Sequence, residues 1–494
     1  MKKSILSTLV LGALGGLSLL PSAASAVETE FEFHGYFRAG FFASAENDFK
    51  KAPIAGQKEL LGRLGIESDN DGSLDFLTRF IFDEERVLNI HIGIGDTEFD
   101  DLIGFVEMQG IVPRGANLWA GKRKLGSENY IFMTDFSYTD LDGLGAGISK
   151  LEVGNGFLDF AYISSSRSSA YNNSDYDDFV NNALTNSNQI SVGADKQPEY
   201  EYQNKPFVDY YNSLSQSDQE RLISNQNNTM HTLHAAYNLG RMTVHGNYKF
   251  MPNNWDLLGN EWADTGYDVT AIYHMPHFFG AKGNAFSYAI LQAGEGLGSG
   301  NLLGGTITDY SATRPGSAAQ GFKANRWKPE DTRGWGPTAG DPYYLISHRA
   351  EDATSARLLL WGGYTLHNGI AFLPSFQAQY NDEGTHPAGV DSDQGYNYWY
   401  SGMVRNVFPV NENFFVQSDV GYYKYNWNGT TWDQSKFTVA PTFIMSDGES
   451  SAEIRFSVSY LPDSWTNEGA TPPGETSPSG ASDVIFGIQA DAYW

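Results

Sequence analysis

Two pairs of residues, one near each end of the chain, set a tyrosine two positions from a charged group: Tyr36 with Arg38, and Asp491 with Tyr493. A two-residue step puts both members of a pair on one face of an extended strand. A phenol ring offers a flat apolar surface, and a nearby charge exchanges strong hydrogen bonds with hydroxyl groups. That combination matches a sugar, which has apolar C–H faces and a belt of hydroxyls. Contacts of this kind support passage when each stays weak, because conduction needs entry and exit at similar ease. The competing reading is that Tyr36 and Tyr493 are aromatics at a membrane rim. Their position opposite the apolar side chains of the same segments favours a water-filled interior.

Other chemistry finds little support. A hydrolytic site needs a nucleophile, a base and an orienting group placed together. His34, His91, His231, His234, His245, His274 and His277 are present, but without a nucleophile elbow or a zinc-binding pattern. His231 and His234 are three apart, yet in a strand they face opposite sides. The acidic tract with Asp175, Asp177 and Asp178 lacks the twelve-residue calcium-loop pattern and reads as solvated surface. With no cysteine there is no thiol chemistry and no thiolate-held metal. No catalytic residue, metal or cofactor is expected.

The elements that would position the tyrosines alternate strictly. Phe31, Phe33, Phe37 and Phe41 oppose Glu32, His34, Tyr36 and Arg38. Leu74, Phe76, Phe80 and Phe82 oppose Asp75 and Arg79, and Leu88, Ile90, Ile92 and Ile94 oppose Asn89 and His91. At the end Val484, Phe486, Ile488, Ala490, Ala492 and Trp494 oppose Gln489, Asp491 and Tyr493. Segments of about ten residues are what a tilted strand needs to cross the apolar layer of a bilayer. Tight turns are expected at Asn70-Asp71-Gly72, Asn238-Leu239-Gly240, His367-Asn368-Gly369 and Ser446-Asp447-Gly448. Polar inserts near 165–228, 296–343 and 463–482 read as long loops, the last including the Pro-rich stretch from Thr471 to Pro478. The expectation is an all-β, transmembrane antiparallel barrel of between about 16 and 20 strands. Short periplasmic turns would lie on one rim and long extracellular loops on the other. A barrel of that size encloses an aqueous channel, and closure makes the first and last strands neighbours, so Tyr36 and Tyr493 would meet on its inner wall.

Bulk properties agree. Residues 1–26 read as a signal peptide: Lys2 and Lys3, an apolar run from Ile5 to Leu20, then Ala24-Ser25-Ala26. Residues 27–494 read as one barrel domain, without an apolar stretch long enough for a helical span. The formal charge of −27 becomes −29 once Lys2 and Lys3 leave with the signal. Such a balance repels nucleic acid and favours cations, although most of it reads as solvated loop surface.

The stretch from Phe105 to Ser149 carries a distinctive signature in Leu118-Trp119-Ala120-Gly121-Lys122-Arg123, Met133-Thr134-Asp135-Phe136 and Gly143-Leu144-Gly145-Ala146-Gly147. It resembles the maltoporin family. So do Phe33-His34-Gly35-Tyr36-Phe37-Arg38-Ala39-Gly40 as a first strand, Arg63-Leu64-Gly65 with Glu67 as a second, and Phe486-Gly487-Ile488-Gln489 through Trp494 as the closing strand. The resemblance implies an 18-stranded homotrimeric outer-membrane barrel that passes oligosaccharides, typically maltodextrins, without a cofactor. It places Tyr36 and Tyr493 where the family carries rings of an aromatic sugar track. Arg38 and Arg63 fall on its hydroxyl-binding arginines and Asp135 on a constriction acid. The family's narrowing tyrosine falls on Ser137, with Tyr138 next to it on the opposite face by parity. Glu128 stands where an arginine is expected, and Asp71, Val269 and Glu449 where further rings would fall. Trp361, Trp399, Trp427 or Trp432 are alternative track residues, whereas Lys122 and Arg123 read as a structural ion pair.

Three other readings remain at this stage. A general, cation-preferring diffusion porin shares the architecture. An outer-membrane enzyme would need a rim constellation that the residues do not supply. A sandwich-type adhesin or lectin would be soluble. The expected partners are an oligosaccharide solute, outer-membrane lipid and further copies of the chain.

Overall fold

The computed structural model describes residues 27–45, 49, 58–67, 70–95, 101–166, 215, 229–252, 254, 261–300, 303–305, 350–382, 384–385, 396–427, 430–462 and 483–494. The signal-peptide residues and the tract with Asp175, Asp177 and Asp178 lie outside this set.

Backbone amides and carbonyls in a lipid interior must be paired within the protein, which leaves helices or a closed barrel. Among the described residues no helix is long and apolar enough to cross a membrane. The chain closes a single sheet of eighteen antiparallel strands instead, each hydrogen-bonded to its sequence neighbours. The strands are β1 (Glu28–Ser44), β2 (Asp71–Ile81), β3 (Val87–Gly95), β4 (Asp101–Gln109), β5 (Asn117–Ile131), β6 (Phe136–Val153), β7 (Gly156–Ser166), β8 (Thr229–Asn238) and β9 (Met242–Phe250). They continue as β10 (Thr265–Met275), β11 (Asn284–Gly296), β12 (Thr354–Thr365), β13 (Ala371–Asp382), β14 (Tyr396–Asn411), β15 (Phe414–Trp427), β16 (Thr430–Ser446), β17 (Ser451–Leu461) and β18 (Asp483–Tyr493). β1 pairs β18 with Tyr36 opposite Tyr493 and Arg38 opposite Asp491, so no edge remains. Trp494 completes the seam. Its backbone exchanges hydrogen bonds with Gly35 at 2.9 and 3.1 Å, and its indole lies where any side chain at position 35 would have to go.

The connections alternate as expected. Residues 82–86, 154–155, 239–241, 366–370, 412–413 and 447–450 are short turns on the periplasmic rim. Intervals 167–228, 297–353 and 462–482 leave from the opposite rim. Two expected turns and strands differ. Asn70-Asp71-Gly72 is no hairpin turn but the entry to β2 after the long interval from β1. Arg63-Leu64-Gly65 and Glu67, expected as the second strand, form a turn after a short helix, α1 (Lys58–Leu61). Gly65 has φ +77, a left-handed conformation that breaks extended structure.

Parity is inverted relative to a soluble protein. Phe33, Phe41, Leu291, Val439, Phe456 and Ile488 are exposed toward lipid, whereas Gln377, Asp419, Lys436, Thr438 and Ser459 on the inner face are 0–2% exposed. Near the outer rim the lipid face carries tyrosines, with Tyr380 beside Tyr396 and Tyr400 beside Tyr422, which is the interfacial girdle of such barrels.

Replacing an outward residue near mid-strand therefore tests the orientation. Ile488→Arg should cost about 2–4 kcal/mol if its guanidinium is forced toward the bilayer midplane. Urea titration of the barrel in lipid vesicles reads this out. An unchanged midpoint would contradict an outward Ile488.

Candidate functional site

The inner wall is not left bare. The segment from Lys58 to Glu67 lies inside the barrel and is held by side chains that the strands point inward. Lys436 Nζ donates to the carbonyls of Gly62 and Leu64. Thr438 Oγ1 donates to Leu64 at 3.2 Å, Ser459 Oγ to Gly65 at 3.2 Å and Gln377 Nε2 to Glu59 at 2.9 Å. Buried polar groups require partners, and here the wall's donors saturate the carbonyls of the insert. Leu60, Leu61 and Ile66 pack with Phe42, Trp399, Tyr423, Tyr425 and Ile485 as an apolar cluster within the bore.

A second intrusion is the far end of the β5–β6 hairpin. Its ladder shifts register at Leu125/Asn129 and Asn129/Tyr130, and irregularities of this kind bend a strand pair. Ile131, Met133 and Tyr138 then reach Ile272, Ile290, Leu359, Trp361 and Met403 on β10, β11, β12 and β14. Residues 303–305 are a third. Gln292 Nε2 donates to the carbonyls of Tyr138 (2.6 Å) and Leu303 (3.0 Å), Lys249 Nζ to Gly305 (2.6 Å), and the Gly304 amide to Asp268 (3.2 Å).

Where the first two intrusions meet the β1–β18 seam, charges converge. Arg38 lies 3.1 Å from Glu67, 3.4 Å from Asp71 and 3.6 Å from Asp135, and donates to the Tyr36 hydroxyl at 3.0 Å. Lys58 binds Asp135 at 2.7 Å. Arg63 bridges Glu67 at 3.1 Å and Asp491 at 2.6 Å, and Arg455 joins Asp491 (3.1 Å) to Glu453 (2.7 Å). Burial alone would raise the Asp135 carboxyl, but Lys58, with Arg38 and Arg63, outweighs it and holds the group below its ordinary range. Burial would likewise lower the Arg63 guanidinium, yet Glu67 and Asp491 raise it above its usual value. The network is therefore charged and locked near neutral pH. A second locked group, in which Asp419 meets Arg405 at 2.8 Å and Lys436 at 3.5 Å, lies beneath the insert.

The structure thus brings together Tyr36, Arg38, Arg63 and Asp135 and sets Tyr493 beside Tyr36. Tyr36 is partly covered and Tyr493 is 50% exposed. Ser137 stands apart. It is exposed opposite Tyr130, while Tyr138 turns into the inner cluster at 3% exposure. Strand alternation does not describe Asp135, which sits in the β5–β6 turn with φ +55. Phe132 and Phe136 on either side both pack against the inner cluster. Trp361 and Trp399 are 8% and 3% exposed within apolar clusters rather than offered to the lumen. The side chains of Trp427 and Trp432 lie outside the described set. Val269 points outward to lipid, and Glu449 lies in the periplasmic turn after β16. Arg123 lies 3.5 Å from Glu107 and over the rings of Phe105 and Trp119, an ion pair with a structural seat. The inward role of Lys436, Gln377, Gln292 and Lys249 was missed. Their even or odd place in a strand was readable, but not their partners far along the chain. Among the described residues no group of three or more His, Cys, Asp or Glu could hold a metal.

Against known proteins, the model of the LamB porin family matches residues 31–494. The chain is 24% identical over 516 residues to a maltoporin of Vibrio cholerae serotype O1, covering 98% of this chain and 99% of that protein. It is 30% identical over 175 residues to a maltoporin of Photobacterium profundum, covering 28% and 41% respectively. Among solved structures, Pseudomonas aeruginosa OpdQ aligns over 94% of this chain and 96% of its own with a TM-score of 0.42 and 6% identity.

Two outcomes follow from the locked charges. Asp135 is held low, so the Lys58 attachment persists above the ordinary aspartate value of about 3.9 and is lost as pH falls through the still lower folded value. Single-channel current should stay quiet from neutral pH to about 4 and become larger and noisier below the ordinary carboxylate range. Asp135→Asn should show that behaviour already at neutral pH; a quiet variant would refute the anchor. Asp419→Asn leaves Arg405 and Lys436 facing each other while buried and should cost about 3–5 kcal/mol, read as a lowered unfolding midpoint.

Proposed function

The chain belongs to the LamB porin family, and from that premise we propose that it admits saccharides of the maltodextrin type by facilitated diffusion. It is an integral outer-membrane porin and not an enzyme. In this reading residues 1–26 direct export and are removed, residues 27–494 form the pore, and three copies assemble.

The observation that carries the saccharide reading is the seam. Tyr36 and Tyr493 are cross-strand partners on the inner face, directly beside Arg38, Arg63, Asp135 and Asp491. A sugar sliding past such a site lays its C–H face on a ring and trades water for hydrogen bonds with fixed charges. The charges are already paired with one another, so each offers a hydroxyl only a partial, weak bond. Weak binding is what throughput demands. The intrusions narrow the bore, so an extended chain of sugar rings passes more readily than a bulky globular solute. Ser137, exposed on the hairpin that crosses the lumen, serves as a small polar lining residue.

A general, cation-preferring pore is the alternative, favoured by the formal charge of −27 and by inward Glu30 and Glu32 near the periplasmic mouth. A graded series of malto-oligosaccharides separates the two. Channel current should be blocked saturably, more tightly by longer members, and Tyr493→Ala should weaken the block by about 0.5–1.5 kcal/mol, roughly two- to ten-fold. Permeation that falls smoothly with solute size, with no saturable block, would instead establish the general pore.

A further inference from the structure

The inner wall is covered unevenly. On the arc formed by β10 to β17, inward side chains at and above mid-height are sealed: Thr270, Leu359, Gln377, Asp419 and Ser459 are each 0% exposed and Thr438 is 2%. They lie beneath the Lys58–Glu67 insert, the β5–β6 hairpin end or residues 303–305. The arc of β1 to β4 is only partly covered: Arg38 is sealed at the insert and Asn89 and Glu107 are buried against each other, but beside them a strip of inward side chains stays open. The His34 side chain is 62% exposed, Asp75 is exposed, Arg79 is 36% exposed and His91 is half-buried. Cross-strand register sets them in transverse rows on the inner face: His34 opposite Asp75, Arg79 opposite Asn89, and His91 opposite Phe105. Among the described residues these rows carry none of the carbonyl-capping contacts that fill the other arc.

We infer that solute crosses the narrow part of the barrel along an off-centre lane on the inner faces of β1–β4, with Asp75, Arg79 and His91 as selectivity-determining residues. The lane itself follows from coverage. Only the identity of the solute rests on the saccharide reading above.

The lane has the chemistry to slow a hydroxyl-bearing molecule without holding it. Arg79 is shared between Glu32 and Glu30, the latter at 3.3 Å, so it keeps donors free on one side while its charge is balanced. Asp75 lies across from His34 and presents an acceptor to water. The imidazole of His91 stacks on the Phe105 ring at 4.2 Å and 11°. Arg123 lies over the same Phe105 ring at 4.7 Å. This makes a flat, rigid, partly apolar ledge next to alternating charges. A neutral solute with one apolar face and a polar edge fits that ledge. A simple anion meets Glu32 and Asp75, and a simple cation meets Arg79 and Arg123, so neither sign is favoured along the whole length.

The chain contains no cysteine, so single cysteines can be introduced without a background. The test uses Asp75→Cys and His91→Cys on the proposed lane, with Thr438→Cys and Ser459→Cys on the covered arc, in the full-length protein in planar bilayers. A negatively charged, membrane-impermeant methanethiosulfonate is added from either side and single-channel conductance is followed. Thiol modification requires an accessible thiolate, so the lane variants should lose conductance at least roughly ten-fold faster than the covered-arc variants. Equal rates in both sets, faster loss in the covered set, or no loss in any variant would overturn the lane. Maltohexaose is then added before the reagent. Slower modification of Asp75→Cys supports passage of sugar along the lane. Modification that the sugar leaves unchanged keeps the lane and overturns the saccharide reading instead. Charge inversion by Asp75→Arg should shift the zero-current potential in a salt gradient toward anions, a shift that Thr438→Lys on the covered arc should not reproduce if it folds. A covered-arc variant that shifts the potential equally would count against the lane.

Discussion

Every feature of this molecule follows from the requirement that no backbone amide or carbonyl be left unpaired in lipid. A closed sheet meets it, and closure fixes parity: each strand must turn one set of side chains to hydrocarbon and the other to the interior. The outward set is apolar at almost every turn of the wall. The inward set is polar, and it creates a second demand, because lysines, arginines and glutamines facing a confined interior must find partners. Water can serve some of them. The chain supplies carbonyls for the rest by folding its own connections inward, so that Lys436, Gln377, Gln292 and Lys249 become pins rather than free charges.

Pairing of that kind stabilises by avoidance more than by attraction. An ion pair removed from water recovers little over a well-packed apolar substitute, whereas a buried charge deprived of its partner is severely unfavourable. The Arg405–Asp419–Lys436 group and the Arg38–Glu67–Arg63 group are best read as devices of placement. They allow one position of the insert relative to the wall and penalise the others. Among the described residues, narrowing of the bore is thereby set by fixed contacts between insert and wall.

The wall was legible in the sequence, because alternation is a local property that a few residues reveal. β1 and β18 were readable from Phe31–Phe41 and Val484–Trp494, and their meeting followed from closure. The intrusions were not. Arg63-Leu64-Gly65 with Glu67 was expected as a strand from its resemblance to the family alone, and the conformation of Gly65 and donors on β16 and β17 turn it into an inward bend. Tyr138 beside Ser137 was read by parity, yet a register shift in the β5–β6 ladder decides which of them enters the cluster. Trp361 and Trp399 have the chemistry of a stacking surface, and it is the covering by other segments that takes it from them. For the insert and the two tryptophans the missing information lies hundreds of positions away in the chain.

That separation has a consequence for how the molecule is made. The groups that grip residues 62–67 sit on β16, β17 and β18, and the seam that completes the wall joins the earliest strand to the latest. Loop-closure entropy delays contacts between such distant segments until much else is in place. The narrowing insert therefore docks as a late event, after the final strands have arrived. Until then Lys436, Ser459 and Gln489 lack the carbonyl and carboxylate acceptors that they hold in the finished barrel.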